Sequence, residues 1–262
     1  MSPEHRKLIC NLYIAIFKCS CYSGIGKGAV DTFANFIFGR YLCMSKRFWE
    51  WEPAFEIQPE ECAFLIIDMQ KGFVDAGAPL EVPMAREQAP AIADFADFCR
   101  CHNVPVLYSR FAYNKDNTYD FYYRMAPQRG LREDADGNDF DYPNPETAIS
   151  DLVEPVEGDI IFDKYGYDCF AFSSLGEELE KRNIKTLIIA GTVVNWCVDS
   201  TIRSAYHQKY NVVVVADGVS GCDQAGLSGD MWQTIELDHF AEAFARVLTA
   251  ENLKKEMLSH LS

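Results

Sequence analysis

Three reactive side chains stand where a carboxylate, an amine and a thiol could act together. Asp68 closes Leu65-Ile66-Ile67-Asp68, Lys164 follows the run ending at Phe162-Asp163, and Cys197 ends Gly191-Thr192-Val193-Val194-Asn195-Trp196-Cys197. Singly they are ordinary: an Asp after a strand is often a turn cap, a lone Lys is usually solvated, and a single Cys is usually a small buried hydrophobe. Jointly they suit nucleophilic attack on a carbonyl. The thiolate is the attacking species, and the carboxylate can take the thiol proton and later handle that of a leaving amine or an attacking water. The tight Gly191–Trp196 turn can aim backbone N–H groups at a developing oxyanion. Placed at the mouth of a helix beginning near Val198, the thiol is expected to have a depressed pKa, from unpaired N–H groups, the positive end of the macrodipole and the neighbouring lysine.

These residues can meet only if one sheet collects them on one edge. From residue 61 short β-branched runs alternate with helical stretches, the pattern of βα units. The expected strands are Ala63–Asp68, Pro105–Ser109, Asp159–Phe162, Thr186–Ala190 and Val212–Ala216. The expected helices are Ala85–Cys101, Ser173–Arg182, Val198–Lys209 and Asp238–Leu248, the last with Phe240, Phe244, Val247 and Leu248 on one face. Near-continuous apolar strands imply a sheet covered on both faces: a doubly wound, mainly parallel α/β fold, a three-layer sandwich. Ligands in such sheets bind beyond the carboxyl ends of the strands, where all three groups fall. The insert Tyr113–Thr147, rich in Tyr, Asp, Pro and Gly, has the length of a lid or a disordered segment.

The 262 residues suffice for one sizeable domain. A net charge of −15 with no basic cluster argues against nucleic acid and an anionic membrane surface as partners. Ten cysteines scattered through a long chain read as reduced thiols, hence a cytoplasmic protein. The five histidines are far apart, and no CxxC or HExxH offers metal-ligand spacing. Residues 1–43 differ from the rest: an apolar run, Leu8 to Phe17, follows Arg6 and Lys7 and is too short to span a bilayer. They are read as an N-terminal extension, and residues 44–262 as the catalytic domain. Gly24-Ile25-Gly26-Lys27-Gly28 lacks the strand and spacing of a phosphate loop.

Three stretches, Leu65 to Phe73 (LIIDMQKGF), Lys164 to Phe170 (KYGYDCF) and Gly191 to Thr201 (GTVVNWCVDST), resemble in order and spacing the motif blocks of isochorismatase-like cysteine hydrolases. The resemblance covers about residues 55–250 and implies an isochorismatase-like fold with an Asp-Lys-Cys triad at Asp68, Lys164 and Cys197. It implies a cis peptide at Thr192–Val193, oxyanion donors at the backbone N–H groups of Val193 and Cys197, and a homodimer or homotetramer. Nicotinamidases of this family carry a metal-binding Asp-x-His pattern near the second strand. Ser109–Arg124 contains no histidine, so no metal and no other cofactor is expected. True isochorismatases cleave a vinyl ether and some lack the cysteine, so Cys197 points to amide or ureido cleavage. Asn195 and the Val198-Asp199-Ser200-Thr201 sequence resemble the ureidoacrylate- and carbamoyl-amidohydrolase branch.

For a small-molecule substrate, Phe73, Tyr165, Tyr167, Phe170 and Trp196 are candidates for an aromatic wall, Asn195 for a polar contact, and Arg110 and Arg124 for a substrate carboxylate. The competing readings are a catalytically silent binding module, an atypical nicotinamidase or isochorismatase, and a redox-sensing thiol protein, which would need a resolving cysteine near Cys197. A dinucleotide oxidoreductase fits poorly, because Asp68-Met69-Gln70-Lys71-Gly72 stands where GxGxxG would follow the first strand. Cys62, Cys99, Cys101, Cys169 and Cys222 are read as structural or incidental.

Overall fold

The structure, a computed structural model, describes residues 52–112, 133–134, 137–138 and 145–261. The boundary expected at 43/44, Arg124 and most of the 113–147 insert lie outside the described residues. Six parallel strands form the main sheet: β1 (Cys62–Ile67), β2 (Val106–Phe111), β3 (Ile160–Lys164), β4 (Thr186–Thr192), β5 (Asn211–Ser220) and β6 (Arg246–Leu248), in the order β3-β2-β1-β4-β5-β6. The helices are α1 (Lys71–Val74), α2 (Pro83–Cys101), α3 (Leu175–Lys181), α4 (Asp199–His207), α5 (Gly229–Ala243) and α6 (Ala250–Leu261). Order reverses between β1 and β4, which makes their carboxyl ends the topological switch point.

Strand periodicity divides the core. Phe64, Ile66, Ile188, Ala190, Val213 and Val215 form one buried cluster with Ala85, Ala89, Ile92 and Phe95 of α2 and Leu253 and Met257 of α6. The alternate strand residues, such as Leu65, Ile67 and Ile189, are equally buried and face the layer of α3, α4 and α5. Burial of every residue of β1 and β4 on both faces accounts for their unbroken apolar composition. Among the described residues no helix is long and apolar enough to cross a membrane.

Two departures from the sequence reading bear on the site. Strands β2, β3 and β4 run two residues past their expected ends, so Lys164 is the last residue of β3 and pairs in register with Phe111. The lysine is thus held by the ladder itself. The expected helix over 238–248 is overturned: α5 spans Gly229–Ala243, and Arg246–Leu248 is strand β6. The N–H groups of Phe244 and Ala245 both turn back to the Phe240 carbonyl, closing the helix. The edge of β5 then takes Arg246, Val247 and Leu248 opposite Val213, Val214 and Val215. A backbone edge needs partners more than Val247 and Leu248 need a helix face. Helix α6, not anticipated, starts where Asp217 accepts the Ala250 N–H at 2.8 Å.

At Gly191 the chain passes so close to β1 that a Cβ would lie 2.1 Å from the Ile67 carbonyl oxygen, and φ is +119°. Only glycine fits there. Its absent side chain lets the end of β4 approach the residue before Asp68.

Candidate active site

Asp68 follows β1 directly, in the left-handed region at φ +51°, and is fully buried. Asp tolerates this conformation better than most residues, and non-glycine residues held there concentrate at functional sites. The Ser109 hydroxyl fixes the carboxylate: it accepts the Asp68 N–H at 3.1 Å and donates to Oδ1 at 2.6 Å. The other oxygen, Oδ2, lies 2.7 Å from Lys164 Nζ, with both side chains at 0% exposure. Nζ donates to the Gly166 carbonyl at 2.8 Å and to Cys197 Sγ at 3.3 Å, and lies 5.0 Å from the centre of the Phe111 ring. Nζ is thus shared among Oδ2, the Gly166 carbonyl and Sγ, and Asp68 is a hydrogen-bond partner of both Lys164 and Cys197. Carboxylate, ammonium and thiol are therefore one contiguous group.

Cys197 lies in a π-helical segment, Val194–Val198, that runs into α4. Such segments are rare and recur at functional sites. The preceding Thr192–Val193 peptide is cis. The Val193 carbonyl accepts the N–H groups of Trp196 at 3.0 Å and Val198 at 3.3 Å, the two on either side of the Cys197 N–H.

The depressed thiol pKa expected from sequence is not what this environment produces. Burial pushes the Cys197 thiol well above its ordinary value; Lys164 pulls the other way, and the Asp68 carboxylate, both by its charge and as a hydrogen-bond partner, reinforces the rise. Cys197 belongs to the π-turn rather than to the first turn of a helix, and only 7% of the residue is exposed. Burial thus works against the thiolate at rest, and the Asp68 carboxylate stands beside the thiol as a proton acceptor. Burial alone would lower the Lys164 pKa, but the charges of Asp68 and Cys197 outweigh it and hold the value above that of a free lysine. The ammonium stays charged.

The isochorismatase domain model matches residues 62–252, which is most of the chain and includes all three groups. The chain belongs to the isochorismatase family of hydrolases. Within the family, it is 27% identical over 175 residues to a ureidoacrylate amidohydrolase RutB of Rhizobium rhizogenes (strain K84), covering 62% of this chain and 71% of that one. The crystal structure of a cysteine hydrolase from Pseudomonas syringae pv. phaseolicola 1448A superposes with a TM-score of 0.70 at 25% identity, covering 80% of this chain and 99% of that one. An N-carbamoylsarcosine amidase from Thermoplasma acidophilum shares the fold, with a TM-score of 0.58 at 21% identity over 72% of this chain and 98% of its own.

In this isochorismatase-family chain the other expected site residues divide. Tyr167 packs edge-on against Trp196, ring centres 5.3 Å apart, beside the cysteine turn. Asn195 and Trp196 both donate to the Gln224 side-chain oxygen, at 2.8 and 3.1 Å. Tyr165 follows Lys164 directly and is partly exposed. Phe73 is instead a core residue at 8% exposure. Phe170 stacks on Tyr210, ring centres 5.7 Å apart, where β5 begins and not where it ends. Arg110 donates to Asp163 at 2.7 Å across the β2–β3 ladder.

Several residues of the site were given no role from sequence. Gln70, fully buried, donates from its amide to the carbonyls of Phe111 and Thr147, at 3.0 and 3.1 Å, and accepts the Phe111 N–H at 2.6 Å. It joins β1 to the end of β2 and to the returning insert. Its signal in sequence is position alone, two residues past Asp68 at a strand end, where a buried amide needs partners. The Cys169 thiol, set aside as incidental, is buried against the hydroxyls of Thr201 and Ser109 and interacts electrostatically with Lys164, Asp68 and Cys197. Burial raises it to about 12. Gln224 lies in a turn, and nothing in its sequence marks it. Among the described residues no group of three or more His, Cys, Asp or Glu side chains is placed to hold a metal ion.

Proposed function

We propose that this chain is a cysteine amidohydrolase that cuts a non-peptide C–N bond, ureido or amide, in a small metabolite through a thioester on Cys197. The observation that carries the reading is the buried contact of Lys164 with Asp68 at 2.7 Å and Cys197 at 3.3 Å. Its family membership and the amidohydrolase names of its relatives support the substrate class.

Asp68 Oδ2 takes the Cys197 proton as sulfur attacks the carbonyl carbon, so a C–S bond forms and the carbonyl π pair moves to oxygen. The backbone N–H groups of Val193 and Cys197 receive that charge; the N–H groups flanking that of Cys197 are already spent on the Val193 carbonyl. As the carbonyl re-forms, the C–N bond breaks and Asp68 returns the proton to the departing nitrogen. Water then attacks the thioester and gives a proton to Asp68; the C–S bond breaks, and the sulfur regains its hydrogen. Lys164 holds the carboxylate and stabilises sulfur while it is anionic. Tyr165, Tyr167, Asn195 and Trp196 border the turn and contact substrate; Phe73, Phe170 and Arg110 act from the surrounding structure.

An ammonia-release screen over ureido acids, carbamoylated amino acids, biuret and small primary amides tests the reading, with rapid-quench intact-mass analysis of each hit. The expected result is turnover with an adduct on Cys197 equal in mass to substrate minus the departing amine. Turnover that never yields an adduct, even when the second step is slowed, requires direct attack by water instead.

A further inference from the structure

We propose that Ser109 is a positioning residue that reserves Asp68 Oδ2 for the Cys197 proton, an inference that rests on the cysteine-hydrolase reading above. Ser109 lies on β2, fully buried, forty-one residues from Asp68 along the chain. A hydroxyl has one hydrogen to give and two lone pairs to offer. Here the hydrogen goes to Asp68 Oδ1 at 2.6 Å, and one lone pair accepts the Asp68 N–H at 3.1 Å. The Cys169 thiol is buried against the same hydroxyl. Both bonds run to Asp68, so the hydroxyl's one hydrogen and one of its lone pairs are fixed by the same residue.

The consequence falls on the carboxylate. Backbone and side chain of Asp68 are tied to the same oxygen atom, which holds the residue at φ +51° and stops rotation about the Cβ–Cγ bond. Oδ1 is committed to Ser109, while Oδ2 faces Lys164 at 2.7 Å, and that ammonium also reaches Cys197 Sγ at 3.3 Å. Oδ2 is the oxygen left to accept a proton. An untethered carboxylate would exchange its two oxygens and spend part of its time with its basic lone pair turned from sulfur, so placement of the base governs the chemical step more than substrate binding.

The test compares Ser109→Ala, Ser109→Thr and Ser109→Cys in the full-length protein, alone and in an Asp68→Asn background. Ser109→Ala should lower kcat about 10- to 100-fold with KM changed less than about threefold, and Ser109→Thr, which keeps the hydroxyl, should recover most of the loss. Iodoacetamide labelling of Cys197 at fixed pH should slow in Ser109→Ala but not slow further when Ser109→Ala is added to Asp68→Asn, because the tether has then lost its client. If Ser109→Ala does not fold, Ser109→Cys carries the comparison, having nearly the same shape and a much weaker donor. A Ser109→Ala protein with wild-type kcat overturns the inference, and so does a Ser109 effect that persists undiminished in Asp68→Asn. Labelling needs no substrate, so the readings fail separately. Wild-type protein in which Cys197 is not selectively labelled sinks the nucleophile assignment, whereas selective labelling that Ser109→Ala leaves unchanged sinks the positioning role alone.

Discussion

Strand β3 carries an ion pair at each end, and the two differ in exposure and in what adjoins them. Before its first residue, Asp159 meets Arg100 through two contacts, at 3.2 and 2.6 Å, and also accepts the Val156 N–H at 2.9 Å; Arg100 adds the Tyr108 hydroxyl at 2.9 Å. Both carboxylate oxygens have donors, and the guanidinium side chain keeps 20% of its surface exposed. At its last residue, Lys164 meets Asp68 with neither side chain exposed, and a thiol adjoins the pair. Pairing of charges alone marks neither function nor stability, since burial costs offset much of the Coulomb gain. A thiol in contact with the buried pair distinguishes the second. The first pins α2 to the sheet, and the second is arranged to move a proton.

The largest effects should fall at the carboxyl end. Cys197→Ala should reduce ammonia release at least about a thousandfold while changing stability by about 1 kcal/mol, since it removes the nucleophile and little volume. Cys197→Ser should be nearly as inactive, because a hydroxyl is far less acidic. Asp68→Asn should cost about 10²- to 10⁴-fold in kcat by removing the proton acceptor. It should also cost about 3–5 kcal/mol in urea denaturation, because Lys164 is left charged and buried without its counter-ion. Substantial turnover in either Cys197 variant would falsify the division of labour between the two pairs.

The reverse separation is expected at the amino end. Arg100→Ala should leave kcat and KM within about twofold of wild type yet cost about 2–3 kcal/mol, less than a fully dry pair because the guanidinium is partly solvated. A folded Arg100→Ala protein with greatly reduced kcat would show that the two ends of β3 are energetically joined.

What could be read before any fold was visible follows the same contrast. Asp68, Lys164 and Cys197 were legible because each ends, or lies just past, a β-branched run, and a parallel sheet gathers such ends on one edge. The core strands were legible for the same reason, near-continuous apolar runs between helices. Helix α6 and strand β6 were not. Three residues are too few to show a period, and Val247 and Leu248 continue the apparent helical face of Phe240 and Phe244 although the helix closes before them. The thiol pKa was misjudged because helix-terminus reasoning omits desolvation, which dominates at Cys197. Ser109, Cys169 and Gln224 were illegible for another reason: their partners lie tens of residues away, and no local spacing encodes a contact between a strand serine and the residue after a different strand. Phe73, Phe170 and Arg110 were named for adjacency in sequence, and adjacency along a strand or helix says little about which way a ring or guanidinium turns.

The smallest expected effect refines the comparison by pH. Tyr108 belongs to the structural pair: its hydroxyl accepts from Arg100, and burial pushes its pKa from an ordinary 10.0 to about 12, with Arg100 opposing the shift. A raised folded-state value means that the folded chain holds the phenol proton more tightly than the unfolded chain. The associated stability is complete below pH 10 and is lost as pH rises through about 12. Tyr108→Phe deletes both the hydroxyl and this dependence. At pH 8 it should cost about 1 kcal/mol for the lost hydrogen bond. Between pH 8 and 11.5 the wild type should give up about 2 kcal/mol that the variant does not, so the two stability curves should cross near pH 11. Cys62 and Cys169, also raised to about 12 by burial, add an alkaline loss common to both proteins and leave the difference between them intact. Urea denaturation of both proteins from pH 8 to 11.5, with ammonia release measured at pH 8, provides the check. Curves that stay parallel would mean that Tyr108 ionises as freely in the folded state as in the unfolded one, and that the amino-end cluster is wetter than its geometry implies. A loss of turnover at pH 8 would place the phenol within reach of the chemistry at the opposite end of the strand.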